Sequence, residues 1–109
     1  MKNDEAITAL SALAQEHRLA VFRLLVQAGP EGRAAGDIAA ALELPASSLS
    51  FHLAHLMRAG LITQRRESRS LIYSADFAAM NGLVGFLTEN CCGGASCAPA
   101  AAPRKRKAS

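Results

Sequence analysis

The chain has 109 residues, 12 Lys and Arg against 9 Asp and Glu, a net charge of +3, and half its residues hydrophobic with no Trp. That size and composition fit one globular domain rich in helix and exclude a low-complexity or disordered chain. No apolar run reaches the roughly 20 residues of a membrane span, and the acidic start (Met1-Lys2-Asn3-Asp4-Glu5) lacks a signal-peptide pattern. A cytoplasmic protein with reduced thiols and no membrane partner is therefore expected.

The charge is unevenly placed. Arg104, Lys105, Arg106 and Lys107 supply +4, so residues 1–90 carry −1, eight basic against nine acidic. Inside that mildly acidic body, Arg58, Arg65, Arg66 and Arg69 against Glu67 give residues 47–75 a local +3. A basic patch in an acidic body points to nucleic acid; a solvated charged turn is the plain alternative.

Taken in chain order, Asp4 to Ala14 reads as a helix capped by Asp4, with Ile7, Leu10, Leu13 and Ala14 as its apolar face. A second helix runs from Glu16 to Ala28, lined inward by Leu19, Phe22, Leu25 and Val26 and stopped by Gly29-Pro30. A short third helix covers Ala35 to Leu42, with Ile38, Ala39 and Leu42 inward. Pro45 then suits the first turn of a fourth helix ended by Gly60.

In that fourth helix Leu49, Leu53, Leu56 and Met57 form one apolar stripe. The opposite face carries Ser47, Ser48, Phe51, Ala54, His55 and Arg58, with His52 on the border and no acidic residue. Small hydroxyls near a helix N-terminus permit close approach to the major groove, and Phe51 suits a thymine methyl. Ile62–Arg66 and Leu71–Ser74 read as two strands joined by Glu67–Ser70, a hairpin holding Arg65, Arg66 and Arg69. Asp76 caps a last helix to about Asn90, with Phe77, Met80, Val84 and Leu87 on one face. Residues 91–109 form a Gly-, Ala-, Pro- and Lys/Arg-bearing tail, expected to lack fixed structure when empty, whose basic end is an electrostatic anchor.

The fold class is thus mainly α with a small β-hairpin, in the order α-α-α-α-β-β-α: a winged helix-turn-helix in residues 1–90. The stretch AALELPASSLSFHLAHLMRAGLITQRRESRSLIYSA closely resembles the helix-turn-helix and wing of the ArsR/SmtB metalloregulatory repressors, most specifically from Ser50 to Ile62. Residues 12–25 resemble the second helix of that family. The resemblance covers about residues 5–90 and implies a homodimer, with first and last helices at the two-fold interface, bound to double-stranded operator DNA. Ser47, Ser48, Phe51, His55 and Arg58 would meet the groove or its phosphates, and Arg65, Arg66 and Arg69 would grip the backbone through the wing.

The family's sensing sites differ in place. Its third-helix thiol site needs C-x-C-D, where this chain has Ala34-Ala35-Gly36-Asp37; its last-helix site needs His and carboxylate pairs, and residues 76–90 hold no His. Cys91, Cys92 and Cys97 remain, the chain's only cysteines. Three thiolates without a fourth ligand suit trigonal As(III) or Sb(III) better than zinc, which usually takes four. The Gly93-Gly94 pair lets Cys97 fold back on the adjacent pair, and the cluster resembles the C-terminal arsenite site of one branch of the family. A Cd(II), Pb(II) or Zn(II) site and a redox-active thiol tail are the alternatives. A thiol enzyme is disfavoured because no acid or base partner accompanies the cysteines, and a metal-sequestering protein would need neither helix-turn-helix nor wing.

Overall fold

A computed structural model describes residues 1–94. Five helices and a small sheet follow in the order α1 (Asn3–Leu13), α2 (Glu16–Ala28), β1 (Arg33–Ala34), α3 (Ala35–Leu42), α4 (Ala46–Arg58), β2 (Ile62–Glu67), β3 (Ser70–Ala75) and α5 (Phe77–Leu87). The boundaries have local causes. The Gln15 side chain accepts from the Arg18 N–H at 2.9 Å and starts α2, as Asp76 Oδ1 does for α5 by accepting from the Ala79 N–H at 3.0 Å. At the end of α4 the Leu61 N–H donates to the Leu56 carbonyl and the Gly60 N–H to that of Met57, while Gly60 takes φ +78°. This is a Schellman turn, which the left-handed freedom of glycine makes inexpensive.

The start of α1 differs from expectation. Lys2 is the capping position, its N–H donating to Glu5 Oε1 at 2.8 Å, and Asp4 lies inside the first turn. The buried face differs too. Ala6, Ala9 and Ala12 are buried, whereas Ile7 and Leu10 remain exposed. Small side chains let α1 approach the body closely, so the alanine stripe is the inner one and the larger residues face away. Leu19 of α2, Met57 of α4 and Val84 and Leu87 of α5 are exposed as well, while Val21 and Leu83 are buried.

The core joins Val21, Phe22 and Leu25 of α2, Ile38 of α3, and Leu49, Leu53 and Leu56 of α4 with Leu61, Ile62 and Tyr73. Each fully buried aliphatic side chain contributes about 1.5–3 kcal/mol. The sheet has three antiparallel strands in the order β1-β3-β2 rather than a bare hairpin. Arg33 pairs with Tyr73 and Ala34 with Ile72, a two-residue strand too short to show a period-2 pattern. β2 and β3 run longer than expected and leave only Ser68 and Arg69 as the turn, with Ser68 at φ +56°. No helix among the described residues is long and apolar enough to cross a membrane.

Candidate nucleic-acid interface and thiol pair

α3, the Glu43-Leu44-Pro45 turn and α4 form a helix-turn-helix, with Glu43 in the left-handed region at φ +54° to reverse the chain. Burying Leu49, Leu53 and Leu56 fixes the rotation of α4. Ser47, Phe51 and Arg58 are thereby exposed, and Ser48 and His55 half-buried, all on the side away from the core. Phe51 is 78% exposed, a large aromatic ring offered to solvent in a helix without a carboxylate. Such a ring asks for a partner surface. Arg58, at the end of the helix, borders a cleft shared with Asp4, Glu5 and Asp76.

His52 turns toward α2. Its ring centroid lies 5.6 Å from that of His17, with the planes inclined by 39°. Burial lowers the pKa of His52 below its ordinary value, and the neighbouring His17, Arg18 and His55 lower it further. The sequence alone placed His52 at the border of the reading face; its pairing with His17 depends on how α2 crosses α4.

The three wing arginines part company. In the ladder Gln64 faces Tyr73 and Arg66 faces Leu71, while Arg65 faces Ile72 on the other side of the sheet. Tyr73 and Leu71 line a cavity of about 240 Å³ with Leu49, Ser50 and Leu53 of α4, so the Arg66 side of the hairpin is the one toward the recognition helix. Arg69 stands exposed in the turn. Arg65 has a different setting: Nε donates to Glu67 Oε2 at 2.8 Å, Nη1 to Ser74 Oγ at 3.2 Å and Nη2 to the Glu31 carbonyl at 2.7 Å. Glu31 and Ser74 were not singled out from sequence, and only the fold brings them to Arg65.

After α5 the chain makes a tight turn over Cys91–Gly94, with Cys92 at φ +59° and Gly93 at φ +68°. The Cys91 N–H donates to the Thr88 carbonyl at 2.9 Å, which fastens the turn to the helix end. Cys91 Sγ lies 3.4 Å from Cys92 Sγ, with Cys91 half-buried and Cys92 exposed. Cys91 is a free thiol and Cys92 is disulfide-bonded here, so the pair could chelate one thiophilic ion only with that bond reduced. Cys97, the expected third ligand, and the basic Arg104–Lys107 segment lie outside the described residues. Among the described residues, no group of three or more His, Cys, Asp or Glu is gathered to hold a metal.

Comparison with known proteins agrees with this architecture. A helix-turn-helix domain family matches residues 13–65. The transcriptional activator HlyU of Vibrio cholerae is 31% identical over 83 residues, covering 76% of this chain and 74% of HlyU. Its structure superposes with a TM-score of 0.66 over 84% of this chain and 99% of the other, and its reduced form with 0.65 over 82% and 90%, each at 30% identity. The homodimeric winged helix-turn-helix DNA-binding domain Mb0332 of Mycobacterium bovis, described as a possible ArsR-family regulator, gives 0.63 at 30% identity over 80% of this chain and 81% of its own. A possible transcriptional regulator for arsenical resistance gives 0.63 at 26% identity over 72% and 79%. With its winged helix-turn-helix and these relatives, the chain belongs to the ArsR/SmtB family of transcriptional regulators, DNA-binding proteins rather than enzymes.

Proposed function

We propose that the protein is a homodimeric, cytoplasmic repressor that leaves its operator when As(III) or Sb(III) binds Cys91, Cys92 and Cys97. The observation that carries this reading is the cluster of Cys91, Cys92 and Cys97 directly beyond α5, which would act as thiolates in the reduced protein. The family resemblance makes α5 and α1 the dimer helices. α1 and α5 pack together and leave Ile7, Leu10, Val84 and Leu87 exposed, a face whose burial would stabilise a dimer. Ser47, Ser48, Phe51, His55 and Arg58 would then enter or flank the major groove, with Arg66 and Arg69 on the backbone and Arg65 in the same wing. The two recognition helices of the dimer would stand about 34 Å apart.

An ion at the thiols lies beside the dimer helix, not on the reading face. It would therefore act by changing dimer geometry or order, for which a coupling of about 1–3 kcal/mol suffices. Two ions per dimer are expected. The residue set fits such an ion because thiolates are its preferred donors.

A second reading, a thiol-redox switch of the same fold, draws on the same sulfur pair and on a relative whose reduced form has its own structure. Titrating operator release in parallel with As(III), Sb(III), Cd(II), Pb(II), Zn(II) and peroxide separates the two. Release by arsenite or antimonite in the absence of peroxide supports the metalloid switch. Release by peroxide alone, reversed by a dithiol reductant, overturns it.

A further inference from the structure

We infer that Arg65 is a positioning residue for DNA binding: it latches the wing to the turn after α2, so that Arg66 and Arg69 are presented beside the recognition helix. The inference rests on the DNA-binding reading of the wing given above and assigns different tasks to arginines adjacent in sequence. Three guanidinium nitrogens of Arg65 each donate to a different acceptor: Glu67 Oε2 on its own strand, Ser74 Oγ on β3, and the Glu31 carbonyl in the turn after α2. The last contact spans 34 positions of sequence.

Ser74 extends the latch. Its hydroxyl is buried, accepts from Arg65 Nη1 and donates to the Pro30 carbonyl at 3.2 Å. The turn is seated hard against β3 at this point. Gly32 takes φ +72°, and a Cβ there would run into the Tyr73 carbonyl oxygen and Ser74 Oγ. Carbonyls of Pro30 and Glu31 are thus held at a fixed height beside the sheet, and Arg65 and Ser74 together satisfy them.

A two-stranded ribbon projecting from a domain is marginally stable alone and needs packing or side-chain ties to hold one orientation. On the α4 side the hairpin is held by Tyr73 and Leu71, and Gln64 Nε2 donates to Tyr73 Oη at 2.9 Å. On the other side the tie is Arg65. The planar fork of arginine, with donors in fixed divergent directions, is what three separate acceptors require; the single ammonium of lysine cannot reproduce it. A phosphate contact makes no such demand, because lysine serves as a point charge there. That difference makes the assignment testable.

The probe is a fluorescein-labelled duplex selected by the unmodified full-length protein from a random-sequence pool, with affinity measured by anisotropy across a salt series. Arg66→Lys is expected to keep affinity within about threefold, whereas Arg65→Lys should lose about tenfold. Ser74→Ala, which removes no charge and no surface group, should lose a few-fold at unchanged salt slope, and Arg65→Gln/Ser74→Ala should lose less than the two single changes combined. Hydrogen exchange should quicken at β2 and β3 amides in Arg65→Gln while α2 and α4 stay protected. The inference is overturned if Arg65→Lys binds as the parent does, Ser74→Ala has no effect, and Arg65→Gln lowers the salt slope by about one, the mark of a phosphate contact. If Arg66→Ala leaves both affinity and slope unchanged, the failure lies in the wing reading itself and takes the positioning role with it.

Discussion

The imidazoles of His17 and His52 face each other across the α2–α4 contact at 5.6 Å, and two of the chain's three histidines thereby couple the recognition helix to the core. His52 has its pKa lowered first by burial and then by His17, Arg18 and His55. The folded protein therefore holds His52 neutral at a pH where the unfolded chain, with an ordinary value of 6.5, binds a proton. No penalty exists above that value. As pH falls through 6.5 the unfolded state takes up protons that the native state refuses, and stability declines until the folded pKa is passed. Thermal melts between pH 7.5 and pH 5 should show the parent losing more stability than His52→Gln; parallel curves would show that His52 does not carry the dependence.

Phe51 is the most exposed large hydrophobic side chain on α4. Phe51→Ala should leave Tm nearly unchanged, because no core contact is lost, and should weaken specific DNA binding. Ser48→Ala and His55→Ala should alter sequence preference by about 1–3 kcal/mol at the base pair they meet. Repeating the duplex selection with each variant checks this, and an unaltered consensus for all three would remove α4 from base reading.

The exposed Ile7, Leu10, Val84 and Leu87 should lie at the two-fold interface. Leu10→Glu or Leu87→Glu should yield a folded monomer in sedimentation, with DNA affinity falling more than a hundredfold as the second half-site contact is lost. Retention of the dimer in both variants would place the interface elsewhere.

Single Cys→Ser changes at Cys91, Cys92 or Cys97 should each raise the arsenite needed for release without altering metal-free DNA affinity. X-ray absorption should report three sulfur neighbours around arsenic. A chain ending at Asn90 should fold, dimerise and bind DNA but ignore arsenite; release of DNA from that chain on adding arsenite would refute the thiol-site reading.

Gly32→Ala should destabilise the fold. Its φ of 72° with ψ of −166° is a region open essentially to glycine alone, and strain of about 1–3 kcal/mol is expected before the collision with β3 is counted. A Tm drop of roughly 4–8 °C per kcal/mol follows for a domain of this size. Gly29→Ala, also at positive φ but with open space around its Cβ, should cost less.

Much of this protein was legible in one dimension. Glu16–Ala28 ends where Gly29-Pro30 stops it, and Ala35–Leu42 has the bounds read from its apolar spacing. The reading face of α4 follows from a leucine stripe whose period is that of the helix. The thiol pair was legible because adjacency in sequence already forces proximity. What sequence could not settle was rotation and long-range pairing. Both alanines and larger aliphatics on α1 recur at helical spacing, and only the close packing of α1 on the body decided that Ala6, Ala9 and Ala12 go inward and Ile7 and Leu10 outward. β1 is two residues long and gains its identity solely from Tyr73 and Ile72 on β3, some 40 positions away. Arg65 and Arg66 are the same residue type side by side in a basic run. The alternation of the strand turned one toward Ser74 and the carbonyl of Glu31 and the other toward the recognition-helix side, and nothing short of the folded sheet distinguishes them.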